Sequence, residues 1–395
     1  MSVSLRKDPY VIPKYSLTGD LLAYLKCPRQ YRYYNRGALP PSAPVQLWFG
    51  EFIHGVMEES FDRWRTRKGW RNLPWNWEKR IRDIEMAIFK RLASRGLTPP
   101  PPLFRRYDDD KAADRRIASF RAEQAINTWG PHLFQLIVEA EVRLSGTRPM
   151  PALDRPRADY YGITGVVDVV SSVRLLEAAP DNKLVSRLLA NPSIARRLLS
   201  GPTEPFDIII DYKGMRRPPR SSKHLEHSLW HHQEWQLQTY AWLRKLQAPK
   251  RHVIAGVLLY LNELYPSVED VRALRKDIRT DATDVPPVDL DLRIVSSGPL
   301  THDRIKKLSQ NFREERSIRI VTIESETLTR SLSQFDGVVS QIEGAIALER
   351  TGDSVKEAWQ PRPDASTCTA CDFKYHCDGA ASFDAGEVQR RVTVP

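Results

Sequence analysis

The chain has 395 residues, 41% hydrophobic and 28% charged, enough for a sizeable core and roughly two or three domains, or one core with large insertions. Lysine and arginine number 60 against 49 acids, a net charge of +11 that fits a polyanionic partner and equally a solvated basic surface. Met1 to Pro13 carries charges and prolines but no apolar core, unlike a signal peptide, and the longest apolar run, Val253 to Leu261, is too short to span a bilayer, so a cytoplasmic protein with no membrane partner is expected.

Tyr15 to Arg36 opens with Ser16 or Thr18 as a helix cap, continues through Leu17, Leu21, Leu22 and Leu25 at helical spacing, and breaks at Cys27-Pro28. Arg29 to Tyr34 then interleaves arginine with tyrosine. Such a pattern can stack on nucleic acid, but packing against a neighbouring helix is the expectation here. Val45 to Trp64 carries the apolar stripe of a largely buried helix, with His54-Gly55 inside it and the glycine giving another backbone room to approach. A lone histidine on a helix is an ordinary residue unless other groups join it.

Thr66 to Trp129 is expected to be helical and lateral to the core, with a basic cluster (Arg63, Arg65, Arg67, Lys68, Arg71), a proline break at 99–102 and a charged helix from Asp108. From Phe134 the period becomes extended. Leu136 to Leu144 reads as a first core strand bearing Glu139 and Glu141, Pro149 to Arg157 as a loop, and Gly162 to Val170 as a second strand. Arg174 to Pro205 is too long for a hairpin turn and reads as an insertion.

The third strand, Phe206 to Lys213, organises the chain. It ends in Asp211-Tyr212-Lys213, and because residues two apart share a strand face, Asp211 and Lys213 project together while Tyr212 points away. An acid beside an ammonium can be a solvated strand end, or it can bind a divalent metal with the lysine handling water. Gly214 to Lys223 follows as a mobile basic loop containing Arg216, Arg217 and Arg220. Trp230 to Leu246 is an amphipathic helix with Gln236 and Tyr240 four apart on one face, and Val253 to Leu261 is another strand. Tyr265 to Pro299 reads as loop with a strand at Leu290 to Val295, and helices are expected at His302 to Arg316 and Thr327 to Glu349.

Cys27 stands alone, while Cys368, Cys371 and Cys377 follow a C-x2-C-x5-C spacing near the end. In a reducing compartment this arrangement favours a four-thiolate metal site over disulfides.

In order, His54, Glu141, Asp168, Asp211-x-Lys213 and Gln236-x3-Tyr240, flanked by the four cysteines, resemble the PD-(D/E)XK nuclease superfamily. They are closest to its RecB-like branch with an iron–sulfur cluster, which includes CRISPR-associated adaptation nucleases and AddAB-type nuclease domains. The resemblance implies an α/β, restriction-endonuclease-like core with a central mixed β-sheet flanked by helices, helical insertions and a C-terminal cysteine clasp.

The parts it implies are N-terminal helices with the first cysteine and the histidine (1–65), a helical lateral region (66–132), a nuclease core (133–262, insertion 174–205), a C-terminal insertion with helices (263–358), a cysteine segment (359–379) and a tail (380–395). His54, Asp168, Asp211 and the Tyr212 carbonyl would hold Mg²⁺ or Mn²⁺, and Lys213 would orient the attacking water. Glu141, or with less support Glu139, takes the place of the first-strand glutamate. Gln236 and Tyr240 would brace the site and meet the DNA strand, with Arg216, Arg217 and Arg220 of the basic loop and the Arg63 to Arg71 cluster tracking phosphates. Cys27, Cys368, Cys371 and Cys377 would ligate a [4Fe–4S] cluster, zinc being the alternative.

The implied activity is metal-dependent hydrolysis of DNA at single strands or ends, exonuclease rather than endonuclease, in DNA repair or antiviral defence, beside a helicase or CRISPR adaptation integrase subunits. The alternatives are a non-catalytic DNA-binding or scaffold subunit and a zinc-bearing nucleic-acid-binding protein. Retention of His54, Asp168, Asp211 and Lys213 together favours activity. No G-x4-G-K-[S/T] loop occurs, so a helicase motor would be a separate chain.

Overall fold

A computed structural model of the protein describes residues 12–36, 45–99, 116–151, 156–174, 180–200, 205–220, 228–369 and 371–380. The expected helix start at Asp108, parts of the 149–157 loop and the 174–205 insertion, the end of the basic loop and the tail lie outside them.

Strand β1 (Lys14–Ser16) leads into a helical turn (Leu17–Leu22) capped by the Ser16 hydroxyl, then α1 (Ala23–Lys26) and, after the Cys27-Pro28 break, α2 (Pro28–Tyr31). The long apolar stripe forms α3 (Val45–Thr66), followed by α4 (Arg82–Ser94) and α5 (Ile117–Leu133). Strands β2 (Ile137–Pro149) and β3 (Tyr160–Val173) come next, then α6 (Lys183–Leu189), α7 (Pro192–Ser200) and β4 (Phe206–Lys213). The chain continues through α8 (Leu229–Gln247), β5 (Val253–Tyr260), α9 (Val268–Arg279), α10 (Asp289–Ser296), α11 (His302–Ile305), α12 (Gln310–Ser317), β6 (Ile318–Thr322) and α13 (Ser325–Arg350). It closes with α14 (Val355–Ala358) and α15 (Ala365–Thr369). Among the described residues no helix is long and apolar enough to cross a membrane.

The strands form a mixed six-stranded sheet in the order β1-β3-β4-β5-β6, with β2 beside β3. β1 runs parallel to β3, β3 antiparallel to β4, β4 parallel to β5, and β5 antiparallel to β6. The fold is thus the expected α/β, restriction-endonuclease-like one. β4 is central because its β-branched run is covered on both faces: Ile208, Ile209 and Ile210 are all buried.

Two units make up the chain, one from residues 1–42, 143–165 and 325–395, the other from 43–142 and 166–324. In the first, α13 supplies acids to the strand region: Glu343 pairs with Arg157 and accepts from the Tyr15 hydroxyl, and Asp336 accepts from Arg148 and Tyr161. In the second, α3, α4 and α5 share one hydrophobic core with β3, β4 and β5, through Phe52, Ile84, Ile88, Ala122, Trp129, Ile208 and Val257 among others.

Several expectations are corrected. The 66–132 region is not lateral, because Trp75, Trp77, Ile81 and Ile126 are buried in that main core. Leu290 to Val295 is helix, not strand. Its D-L-D-L alternation mimics a strand period, but Asp289 and Asp291 occupy the first helical turn, where carboxylates favour the helix N-terminus, and Asp291 also accepts from the backbone N–H and hydroxyl of Ser309 at 2.8 and 2.6 Å. The stretch around it is helical too, since Ser267 and Asp270 form a capping box that starts α9. Ser309 caps α12 and splits the expected 302–316 helix in two, and β6 was not anticipated at all.

Two glycines let helices press on the sheet where function needs them. A Cβ on Gly214 would stand 3.0 Å from Ile53 and 3.2 Å from Phe49, so its absence lets α3 lie over the end of β4. A Cβ on Gly256 would reach Leu237 at 2.7 Å, so its absence seats α8 on β5. By contrast, what Gly55 accommodates is the Arg91 and Ile88 side chains of α4, and no backbone is among its nearest neighbours.

Candidate active site and cysteine cavity

The second unit brings the separated polar residues together around the end of β4. Val169 of β3 pairs with Ile210 of β4, which sets Asp168 beside Asp211 at the next step of an antiparallel ladder. One Asp168 oxygen accepts from the Tyr212 backbone N–H at 2.6 Å, and the other lies 3.2 Å from His54 Nδ1. The Tyr212 ring meets the His54 ring edge-on at 6.0 Å between centroids.

Asp211 is buried and forms an ion pair with the Lys213 ammonium, which donates to the Gln236 carbonyl at 2.9 Å. The Gln236 amide donates to Asp211 Oδ1 at 3.4 Å and to the Tyr240 hydroxyl at 3.2 Å. Asp211 and Lys213 therefore share a side, as strand alternation requires, and α8 presents Gln236 and Tyr240 from a single face.

The electrostatics follow from crowding of like charge. Burial pushes the Asp211 carboxyl up, the Lys213 ammonium pulls it back, Asp168 adds to the rise, and the net shift is upward. Burial lowers His54, but the charge and hydrogen bond of Asp168 outweigh it and bring the imidazole up to about 9. Glu141 is raised to about 7, first by burial and then by Asp168 and Glu58, with His54 and Arg91 opposing. Its backbone has a φ of +52°, a left-handed conformation within a strand that costs energy for a side chain with a Cβ. Glu139, the weaker of the two glutamate candidates, points elsewhere and pairs with Arg244 at 2.5 Å.

The basic loop after Lys213 does not have the expected character. Arg217 is buried, paired with Asp284 and donating to the Ile318 carbonyl at 2.5 Å, and Arg216 is paired with Asp277 at 2.5 Å. These arginines pin the loop and are committed to protein acids; of the three named, only Arg220 is exposed. The sequence missed Glu58 and Arg91, which pair at 2.9 Å and both act on Glu141; the position of Glu58 one turn after His54 was the available signal.

In the first unit, Cys27, Cys368, Cys371 and Cys377 line one cavity with Arg29 and Gln30. Burial pushes the Cys368 and Cys371 thiols up, and neighbouring cysteine sulfurs add to the rise. Arg29 is buried and donates to the Trp359 and Lys356 carbonyls at 3.0 and 2.8 Å, while Tyr31 packs on Trp359. The interleaved arginine and tyrosine segment thus packs, as expected. Among the described residues no three His, Cys, Asp or Glu side chains stand as a ready metal-binding group.

The donor chemistry nevertheless fits. Two carboxylates, an imidazole and a strand carbonyl suit a hard divalent cation that also tolerates nitrogen, and Asp168 and Asp211 bury two like charges side by side on neighbouring strands, which a divalent cation would offset. Four cysteines around a single cavity are likewise a thiolate donor set.

No curated protein matches the chain. A solved structure described as "Crystal structure of SSO0001" aligns over 96% of this chain and 90% of its own, at 14% identity and a TM-score of 0.29, too distant to carry an argument. The family model of the PD-(D/E)XK nuclease superfamily matches residues 19–177 and 206–378. That match takes in every residue of the carboxylate site and all four cysteines, and the chain belongs to the PD-(D/E)XK nuclease superfamily.

Proposed function

We propose that the protein is a Mg²⁺- or Mn²⁺-dependent deoxyribonuclease of the RecB-like branch that acts on single-stranded DNA or DNA ends, as an exonuclease. The observation that carries this is the linked set Asp168, Asp211, Lys213 and Gln236, joined by hydrogen bonds and an ion pair around one strand end.

His54, Asp168, Asp211 and the Tyr212 carbonyl would hold the metal. When bound, a divalent cation stabilises the charge that develops on the phosphoryl oxygens and acidifies water. The protein's own groups do the rest. The Gln236 carbonyl and Asp211 fix the Lys213 ammonium, so that its third N–H can orient a water for in-line attack on phosphorus. The Tyr212 N–H holds Asp168 in place. Tyr240 steadies the Gln236 amide, which keeps Gln236 turned toward both Asp211 and Lys213.

For the cysteine cavity we assign a [4Fe–4S] cluster, with zinc as the competing occupant, acting as a structural clasp between the N-terminal helices and the C-terminal segment of the first unit. A helicase or CRISPR adaptation integrase subunits would be the partners of such a nuclease. The test is incubation of anaerobically purified protein with linear and circular single- and double-stranded DNA, with Mn²⁺, Mg²⁺ or chelator, and metal analysis of the same sample. Cleavage of linear single strands that chelator abolishes supports the proposal. Inertness toward every substrate with either metal overturns it, and zinc without iron overturns the cluster alone.

A further inference from the structure

At the C-terminal end of α3 the chain turns back on itself and builds an aromatic frame. Trp75 Nε1 donates to the Trp70 carbonyl at 3.0 Å, Trp64 Nε1 donates to the Arg71 carbonyl at 3.2 Å, and the Trp70 and Trp75 rings meet edge-on at 5.0 Å. Arginines lie over this frame. The guanidinium groups of Arg63, Arg67 and Arg80 stand 5.3, 5.6 and 5.4 Å from the centre of the Trp70 ring, and that of Arg71 stands 5.5 Å from the Trp64 ring. Arg80 is further fixed by a 2.7 Å hydrogen bond to the Gly69 carbonyl.

Arg63 is committed to Glu59 at 2.7 Å, but among the described residues Arg67, Lys68, Arg71 and Arg80 have no carboxylate within ion-pair distance. Elsewhere in the same unit arginines sit on acids: Arg121 on Asp270, Arg216 on Asp277, Arg244 on Glu139, Arg316 on Glu263 and Arg319 on Glu234. The cations around Trp70 are mostly at the surface, with Arg67, Lys68 and Arg71 exposed. Rings that hold long side chains in place reduce the conformational entropy lost on binding, and a guanidinium that stacks on a ring keeps its edge N–H groups for an anion. A polyanion is what such a cluster of cations complements.

We propose that Arg67, Lys68, Arg71 and Arg80, framed by Trp64 and Trp70, form a phosphate-binding comb that grips the sugar–phosphate backbone of the DNA strand outside the catalytic site. This rests on the nuclease reading and adds to it a second, base-independent contact. Thr66, the last residue of α3, lies twelve residues beyond His54, so the comb, which starts at Arg67, begins about 18 Å along the helix from the imidazole, roughly five nucleotides at B-form spacing. The Trp70 ring is already faced by arginines, so it organises cations and is not a platform for bases, and the contact reads no sequence.

The test measures binding of fluorescent oligo-dT and oligo-dA strands of 6 and 30 nucleotides (roughly one comb-free and one comb-spanning length) to the full chain in chelator, across a salt series. The double variant Arg67→Ala/Arg71→Ala is compared with Arg279→Ala/Lys307→Ala, which removes the same charge from exposed positions elsewhere. The comb variant should bind the longer strand about tenfold more weakly and lower the slope of log K against log[salt] by about 1.4, equally for both bases. Retained thermal unfolding shows that the variant is folded, and Arg67→Lys/Arg71→Lys should recover part of the affinity.

Equal weakening by the two double variants, or none by either, overturns the comb. Asp211-dependent cleavage measured on the same samples separates this from the nuclease proposal. Cleavage without a comb effect leaves the nuclease standing, whereas a comb effect without cleavage leaves a DNA-binding protein.

Discussion

The carboxylate site and the cysteine cavity solve different problems. At the first, Asp168, Asp211, Lys213, Gln236 and Tyr240 are placed by bonds to one another and to the Tyr212 N–H. At the second, four cysteines face a cavity where Arg29 and Gln30 supply polar contacts to sulfur, Arg29 to Cys377 at 3.9 Å. The difference teaches that the two sites should fail differently. Loss of a carboxylate should remove activity and spare the fold, because the ionised form of buried Asp211 is disfavoured there and its carboxyl is pushed up. Loss of a cysteine should remove stability first, because binding energy at a thiolate site is folding energy.

The largest expected effect sharpens this contrast. Asp211→Asn should lower cleavage about a thousandfold or more while leaving the thermal unfolding temperature near or above that of the wild type, checked by single-turnover assay beside calorimetry. Next, on the proposed cluster, Cys371→Ser should lower the unfolding temperature and the metal content together, while cleavage per folded molecule changes much less. A Cys371→Ser protein that is fully stable yet inactive would break the comparison.

Smaller effects probe the frame and the charge. Gly256→Ala should destabilise by about 1–3 kcal/mol, read from denaturant unfolding, because the new methyl meets Leu237. Glu141 gives the smallest. Its carboxyl is raised from 4.5 to about 7, so the metal-free fold binds that proton more tightly than the unfolded chain does. The contribution is fully present below pH 4.5 and is lost as pH rises to about 7. Since the group is half exposed, the effect should be on the order of 1 kcal/mol or less after screening. Glu141→Gln should flatten the unfolding temperature across that window.

Much of this was legible because short-range rules fix it. The period-2 alternation of Asp211 and Lys213 and the i, i+4 spacing of Gln236 and Tyr240 appear in the structure as shared faces. The β-branched Phe206–Lys213 run gave a strand with the expected bounds. What failed depends on partners distant in sequence. Arg216 and Arg217 read as a mobile basic loop because Asp277 and Asp284 lie far along the chain, and the 66–132 region read as lateral because its tryptophans join the core shared with the strands only in the fold. β6 carried a signal in its β-branched residues Ile318, Ile320, Val321 and Thr322 but is only five residues long, and the place of its Arg319 over the Trp230 ring at 3.5 Å is seen only in the fold. The left-handed backbone at Glu141 has no sequence signal, because glycine is absent there.

The most direct measurement sets wild type and Asp211→Ala side by side on end-labelled single-stranded DNA with Mn²⁺, each shown to be folded by its unfolding transition. The account predicts cleavage by the wild type and none above background by Asp211→Ala. Cleavage that survives the substitution would contradict it and place the reacting centre elsewhere in the molecule.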